Sequence, residues 1–115
     1  MTLYKFFSVF DKNTQICLIQ RDKSVLVSKR IGSDTIKYLA YPVLRVTYEN
    51  YQLRIVIGED IVPLNVVYKE KVYLKDIIPL FEENEKISFS NDFLNDKEQP
   101  ITTVKLLSSD MLEIS

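Results

Sequence analysis

Six carboxylates near the end of the chain hold most of its chemical potential. Glu82, Glu83 and Glu85 sit in one short corner, and Asp92, Asp96 and Glu98 follow in the next loop. Two or three carboxylates so placed are the donor set of a Mg²⁺ or Ca²⁺ site. They are also the only ready source of acid–base chemistry, because histidine is absent from the chain. No EF-hand spacing and no phosphate-loop lysine motif accompanies them. The expectation is therefore a solvated acidic corner with no metal, no cofactor and no catalytic role. Closely spaced carboxylates can still imitate the phosphates of DNA, and so occupy a nucleic-acid channel on another protein.

The absence of histidine removes catalytic triads and most zinc sites. Cys17 is the only thiol, so no intrachain disulfide can form. It falls mid-strand among apolar neighbours, which predicts a buried, inert side chain. A second set of chemically capable residues is basic: Lys29, Arg30, Lys37, Arg45 and Arg54. If Arg45 and Arg54 share one outer sheet face beside Tyr48 or Tyr51, they could meet phosphate or a carboxylate-rich partner. The plainer expectation is solvent-facing strand charge. No recognition helix or single-strand RNA motif is present.

Hydrophobic residues make up 46% of the 115, and charged residues 27%. That balance belongs to a globular chain of one ordinary domain, taken as 1–115. Only two glycines are present, which disfavours phosphate-cradling loops. Charge divides unevenly: residues 1–60 carry +3 and residues 61–115 carry −4. A dipolar molecule is expected, without a whole-chain draw toward nucleic acid or anionic membrane. No apolar run approaches the ~18 residues of a membrane span. Nothing at the N-terminus resembles a signal peptide. A reducing cytoplasm is the expected setting.

One unit organises the chain, and its pattern occurs twice. In Leu3–Gln20 an apolar helical stripe (Leu3, Phe6, Phe7, Phe10) ends in Asp11-Lys12-Asn13 and enters an alternating strand. A shift of 71 residues lays Leu74–Asn91 over it, matching Phe10 with Phe81, Asn13 with Asn84 and Ile16 with Ile87. Thr2 is the expected helix cap, and Pro79 is expected to shorten the second helix. Strands are predicted at Thr14–Gln20 and Ser24–Ile31, then a short helical turn capped by Ser33 or Asp34. A hairpin of Val43–Glu49 and Gln52–Ile57 turns about Asn50. Asn65–Tyr73 reads as a bridging strand or tight hairpin. After the Glu85–Asn91 strand and a polar loop, Ile101–Leu107 and Met111–Ile114 form a closing hairpin. Pro42 and Val46 match Pro100 and Val104 at an offset of 58. The predicted fold is α+β: two related helix–strand–hairpin halves, 1–60 and 64–115, sharing one core, with antiparallel sheets and short helices packed on them.

The opening LYKFFSVFDKNTQICL, followed by YPVLRVTYENYQLRIVI, resembles small uncharacterised proteins of phages and mobile elements of Gram-positive bacteria. Asp11, Asn13 and Thr14 carry the shared corner, and Val43, Val46, Leu53 and Ile55 carry the shared hairpin. The likeness covers the first half; the second departs from it at Pro79 and at Glu82 and Glu85. Proteins of this kind include accessory factors and anti-CRISPR inhibitors of the Cas9 nuclease. The resemblance implies a phage-like setting; taken with the small size, the absence of a catalytic constellation and the dipolar charge, it makes the expectation a non-enzymatic inhibitor in the cytoplasm of a bacterial host, with a host protein such as the Cas9–guide RNA complex as partner. Two alternatives stand beside it: a nucleic-acid-binding accessory protein, and a structural subunit that oligomerises through strand edges.

Overall fold

The structure, a computed structural model, describes residues 1–62, 71–83, 85–90 and 98–115. The first helix, α1 (Leu3–Phe7), begins where the Thr2 hydroxyl oxygen accepts the Lys5 N–H at 3.3 Å. Five residues cannot hold a helix alone. Burial of Leu3, Phe6 and Phe7 does so here, with the rings of Phe6 and Phe10 4.8 Å apart. The helix stops three residues before the end of its apolar stripe. Phe10 has left it to bridge Val104 in parallel, so strand pairing takes the backbone that periodicity assigns to a last turn.

Strands β1 (Gln15–Gln20) and β2 (Lys23–Arg30) form a hairpin whose turn residues Arg21 and Asp22 both have positive φ. A 3₁₀ turn follows at Ser33–Tyr38. Its cap is neither Ser33 nor Asp34. The Thr35 hydroxyl instead accepts the Gly32 N–H and donates to the Gly32 carbonyl, closing the turn from inside. The hairpin β3 (Val43–Glu49) and β4 (Gln52–Ile57) turns through Asn50 and Tyr51, both left-handed. Such turns match the right-handed twist of the flanking strands.

These strands make one sheet in the order β2-β1-β4-β3. Its central pair, β1 with β4, is parallel, setting Ile16 beside Leu53 and Leu18 beside Ile55. The sheet is therefore mixed, where alternation alone predicts an antiparallel one. The β2 excursion and the 3₁₀ turn reverse the chain, so the β3–β4 hairpin returns β4 in the direction of β1.

The rest of the chain uses similar parts. Strand β5 (Val72–Tyr73) leads into α2 (Leu74–Ile77), where the Asp76 carboxylate accepts the Tyr73 N–H at 2.9 Å. At Pro79, which cannot donate a helical hydrogen bond, the helix tightens into a 3₁₀ turn over Ile78–Leu80. Strands β6 (Lys86–Phe89), β8 (Val104–Leu106) and β9 (Met111–Ile114) form a sheet in the order β6-β9-β8, again with a parallel pair, β6 with β9. The expected long strand from Ile101 to Leu107 is divided, because β7 (Pro100–Ile101) turns away to pair with β5. Most of Asn65–Tyr73 and of the polar loop after Asn91 lies outside the described residues.

Among the described residues the inner faces meet in one apolar cluster that draws on all three sheets and both helices. Phe6, Ile16, Leu18, Val46, Leu53, Ile55, Ile77 and Ile114 are all 0% exposed. Cys17 is buried, as expected. Among the described residues no helix is long and apolar enough to cross a membrane.

Gly58 marks a tight point. Its N–H donates to the Pro42 carbonyl at 2.8 Å, and a Cβ there would lie 2.7 Å from the Pro42 ring. Gly58→Ala is expected to cost about 1–3 kcal/mol, the usual penalty of overpacking a closed contact. Chemical denaturation should show a lower midpoint with an unchanged slope.

Candidate functional site

The outer face of the first sheet is set by alternation. Val46 and Tyr48 of β3 and Leu53 and Ile55 of β4 turn into the core, so Thr47, Arg54 and Val56 turn out. A register shift between Val43 and Arg45 pairs Arg45 with Val56 and places it on this same outer face. Thr47 pairs with Arg54, which makes the two arginines diagonal neighbours. Ile19, beside Val56 on the parallel β1 strand, extends the floor.

The opposite wall comes from the second half. Val46 bridges Phe81 in parallel, so the acidic corner runs along the open edge of β3. The Tyr48 N–H points out of that edge and donates to Glu85 Oε1 at 3.3 Å. The carboxylate thus stands in for the strand that the edge lacks. Beyond it, Asp110 in the β8–β9 turn pairs with Lys86 at 3.0 Å and accepts the Ser108 hydroxyl at 3.1 Å. The Tyr48 phenol donates to the Ser108 carbonyl at 2.8 Å and ties that turn to β3.

Between the walls lies an open cleft of about 500 Å³, lined by Ile19, Arg45, Thr47, Tyr48, Glu49, Arg54, Val56, Glu82, Glu85, Lys86 and Asp110. Two sets of candidates therefore meet in one place. Glu82 and Glu85 come from the acidic set and Arg45 and Arg54 from the basic one. Glu83 and Glu98 are exposed and do not line the cleft. Asp92 and Asp96 lie outside the described residues. Lys29 and Arg30 end β2, and Lys37 sits over the Tyr38 ring at 5.3 Å; none of these three lines the cleft. Glu49, Lys86 and Asp110 are additions that the sequence does not single out. Glu49 ends a strand and Asp110 sits in a turn, ordinary places for a solvated acid, and nothing local marks them as neighbours of Glu85.

The electrostatics follow from this crowding. Burial pushes the Glu85 carboxyl above its ordinary value, and the negative charges of Glu82, Glu49 and Asp110 push the same way. The Tyr48 hydrogen bond opposes them. Asp110 is held below its ordinary value by its hydrogen bonds to Lys86 and Ser108 and by the Lys86 charge. Burial, followed by Tyr51 and Asp110, raises the Tyr48 phenol. Among the described residues no three potential ligands converge as a metal site would require. The carboxylates are spread along a rim.

A raised carboxyl means that the folded state holds its proton more tightly than the unfolded chain does. The contribution of Glu85 to stability is thus fully present below the unfolded value of 4.5 and is lost as pH rises through the higher folded value. Glu85→Gln keeps an oxygen to accept the Tyr48 N–H and removes this loss. Thermal melts across the acid-to-neutral range should show a flatter pH profile for Glu85→Gln and a higher Tm than the parent at neutral pH.

Comparison with protein-family models, with curated proteins and with solved structures finds no match to this chain.

Proposed function

We propose that the protein is a non-enzymatic, phage-type inhibitor that binds a host nuclease in the bacterial cytoplasm, with the Cas9–guide RNA complex as the partner to test first. One observation carries this reading. Glu49, Glu82, Glu85 and Asp110 arrive from three separate segments and line one cleft. Their spread suits contact with several basic groups on a nucleic-acid-binding surface better than it suits a single ion. The resemblance of the first half to phage and mobile-element proteins supplies the setting.

The nucleic-acid-binding alternative has less support. Arg45 and Arg54 share their cleft with four carboxylates, which would repel the neighbouring phosphates of any strand laid there. The oligomerising alternative rests on the terminal strands β2 and β6. The β2 edge carries Lys23, Lys29 and Arg30 and a left-handed residue at Ser28, features that discourage edge-to-edge pairing.

The chain is also read as two related halves, 1–60 and 64–115, sharing the core. The pairings that support this are equivalent under the offsets of 71 and 58 and, with one more residue inserted, an offset of 59 that lays Leu53 and Ile55 on Leu112 and Ile114. Ile16–Leu53 and Ile87–Leu112 are parallel partners, and Val46–Ile55 and Val104–Ile114 are antiparallel ones. Phe10 bridges Val104 while Phe81 bridges Val46, so each half reaches across to the other in the same way. Lys5 pairs with Asp76, its own counterpart, at 3.8 Å. Such a contact between equivalent positions is what an axis of pseudo-twofold symmetry would place side by side.

The expected outcome is inhibition of target cleavage at micromolar excess and retention of the protein on immobilised Cas9–guide complex. Charge reversal at Glu82, which is exposed and lines the cleft, should weaken binding about tenfold or more, whereas reversal at Lys12 or Lys23 should leave it near the parent value. Unimpeded cleavage across several Cas9 orthologues would remove the reading. Equal effects of the acidic and basic reversals would remove the acidic rim from it.

A further inference from the structure

The sheet wall of the cleft carries Arg45 and Arg54, with Glu49 at the end of the same strand face, and the facing wall carries Glu82, Glu85 and Asp110. Arg45 and Arg54 are exposed diagonal neighbours on one face, and like charges so placed repel. Among the described residues neither forms an ion pair, although Glu49, Glu82, Glu85 and Asp110 line the same cleft. Asp110 is taken by Lys86, and Glu85 is taken by the Tyr48 N–H. The arginines are exposed and share the cleft with Ile19, Thr47 and Val56.

A guanidinium donates two parallel hydrogen bonds to a carboxylate, and a second guanidinium beside it adds to the attraction. A second negative group placed next to that carboxylate would face Glu49 and Glu82. A positive group in the same position would be attracted to them. A run of positive groups would have the converse difficulty at the arginine wall.

We infer that the cleft recognises a protein segment in which an acidic and a basic side chain lie side by side, and that it discriminates against segments of a single sign. This rests on the binding role proposed above and narrows it: the surface recognised on the partner is mixed in charge, not a bare cationic groove. The acid docks between Arg45 and Arg54, and the base docks against Glu49 and Glu82. The apolar floor takes the aliphatic stems of both.

Fluorescence anisotropy with the full-length protein at low salt tests this, using labelled peptides of one length: alternating Lys–Glu, all-Glu and all-Lys. The alternating peptide should bind about tenfold more tightly than either of the others. The double variant Arg45→Gln, Arg54→Gln should lose that advantage and bind all-Lys at least as well as the parent does. Glu82→Lys should also weaken the alternating peptide while improving all-Glu. All three substituted residues are exposed, and melts confirm that the variants fold. No binding of the alternating peptide, equal binding of a single-sign peptide, or indifference to the arginine variant overturns the inference. Capture by the nuclease complex is read separately. Capture with no alternating preference leaves the inhibitor standing on its acidic rim alone, and the preference without capture leaves the cleft with a different partner.

Discussion

Several small sheets must bury their inner faces in a single core, and the rest of the structure depends on that constraint. A layer of three or four short strands with one helical turn has too little apolar area to be stable by itself. Here the cluster built on Phe6, Ile16, Leu18, Val46 and Leu53 is continuous with Ile77, Leu112 and Ile114. The helices are a consequence of this packing. At five and four residues neither would persist in water, and each is held by a terminal side-chain hydrogen bond and by burial.

The cleft follows from how the edges of these sheets are covered. Strand β3 ends its sheet, and an open strand edge invites other chains. The chain closes it from within, by laying Phe81 along Val46 and turning the Glu85 carboxylate to the Tyr48 N–H. The edge of β8 is closed in the same manner by Val9 and Phe10, with the Val104 N–H donating to the Val9 carbonyl at 2.8 Å. The first of these junctions gathers charge on both sides of a cleft. Arg45 and Arg54 are brought against the corner because the strand that carries Arg45 is the strand the corner covers.

Glu85 shows how structural and recognition roles divide within one cluster. Its carboxylate is committed to the backbone and its charge is opposed by three neighbouring acids. Glu82 lies one turn earlier and is exposed, with no such commitment. Asp110 is neutralised by Lys86. The groups left to act on a partner are thus fewer than the carboxylates present: Glu82 on one wall, and Arg45, Arg54 and the strand-end Glu49 on the other.

Alternation and turn chemistry make the local parts of this chain legible in its residues alone. The β3–β4 hairpin falls where Val43–Glu49 and Gln52–Ile57 place it, Thr2 caps the first helix, Pro79 shortens the second, and Cys17 is buried. Each of these depends on side chains a few residues apart. The end of α1 at Phe7, the parallel pairing of β1 with β4 and the separation of Pro100–Ile101 from β8 are not legible in that way. All three are set by partners dozens of residues away, and local periodicity carries no record of them. The site divides in the same way. In the sequence Glu82, Glu85, Arg45 and Arg54 belong to two unrelated charge sets. Only the Val46–Phe81 bridge decides that they face one another, and only that closure brings Glu49, Lys86 and Asp110 to the same cleft. Charge type is a property of the residue, but the field in which it acts belongs to the packing.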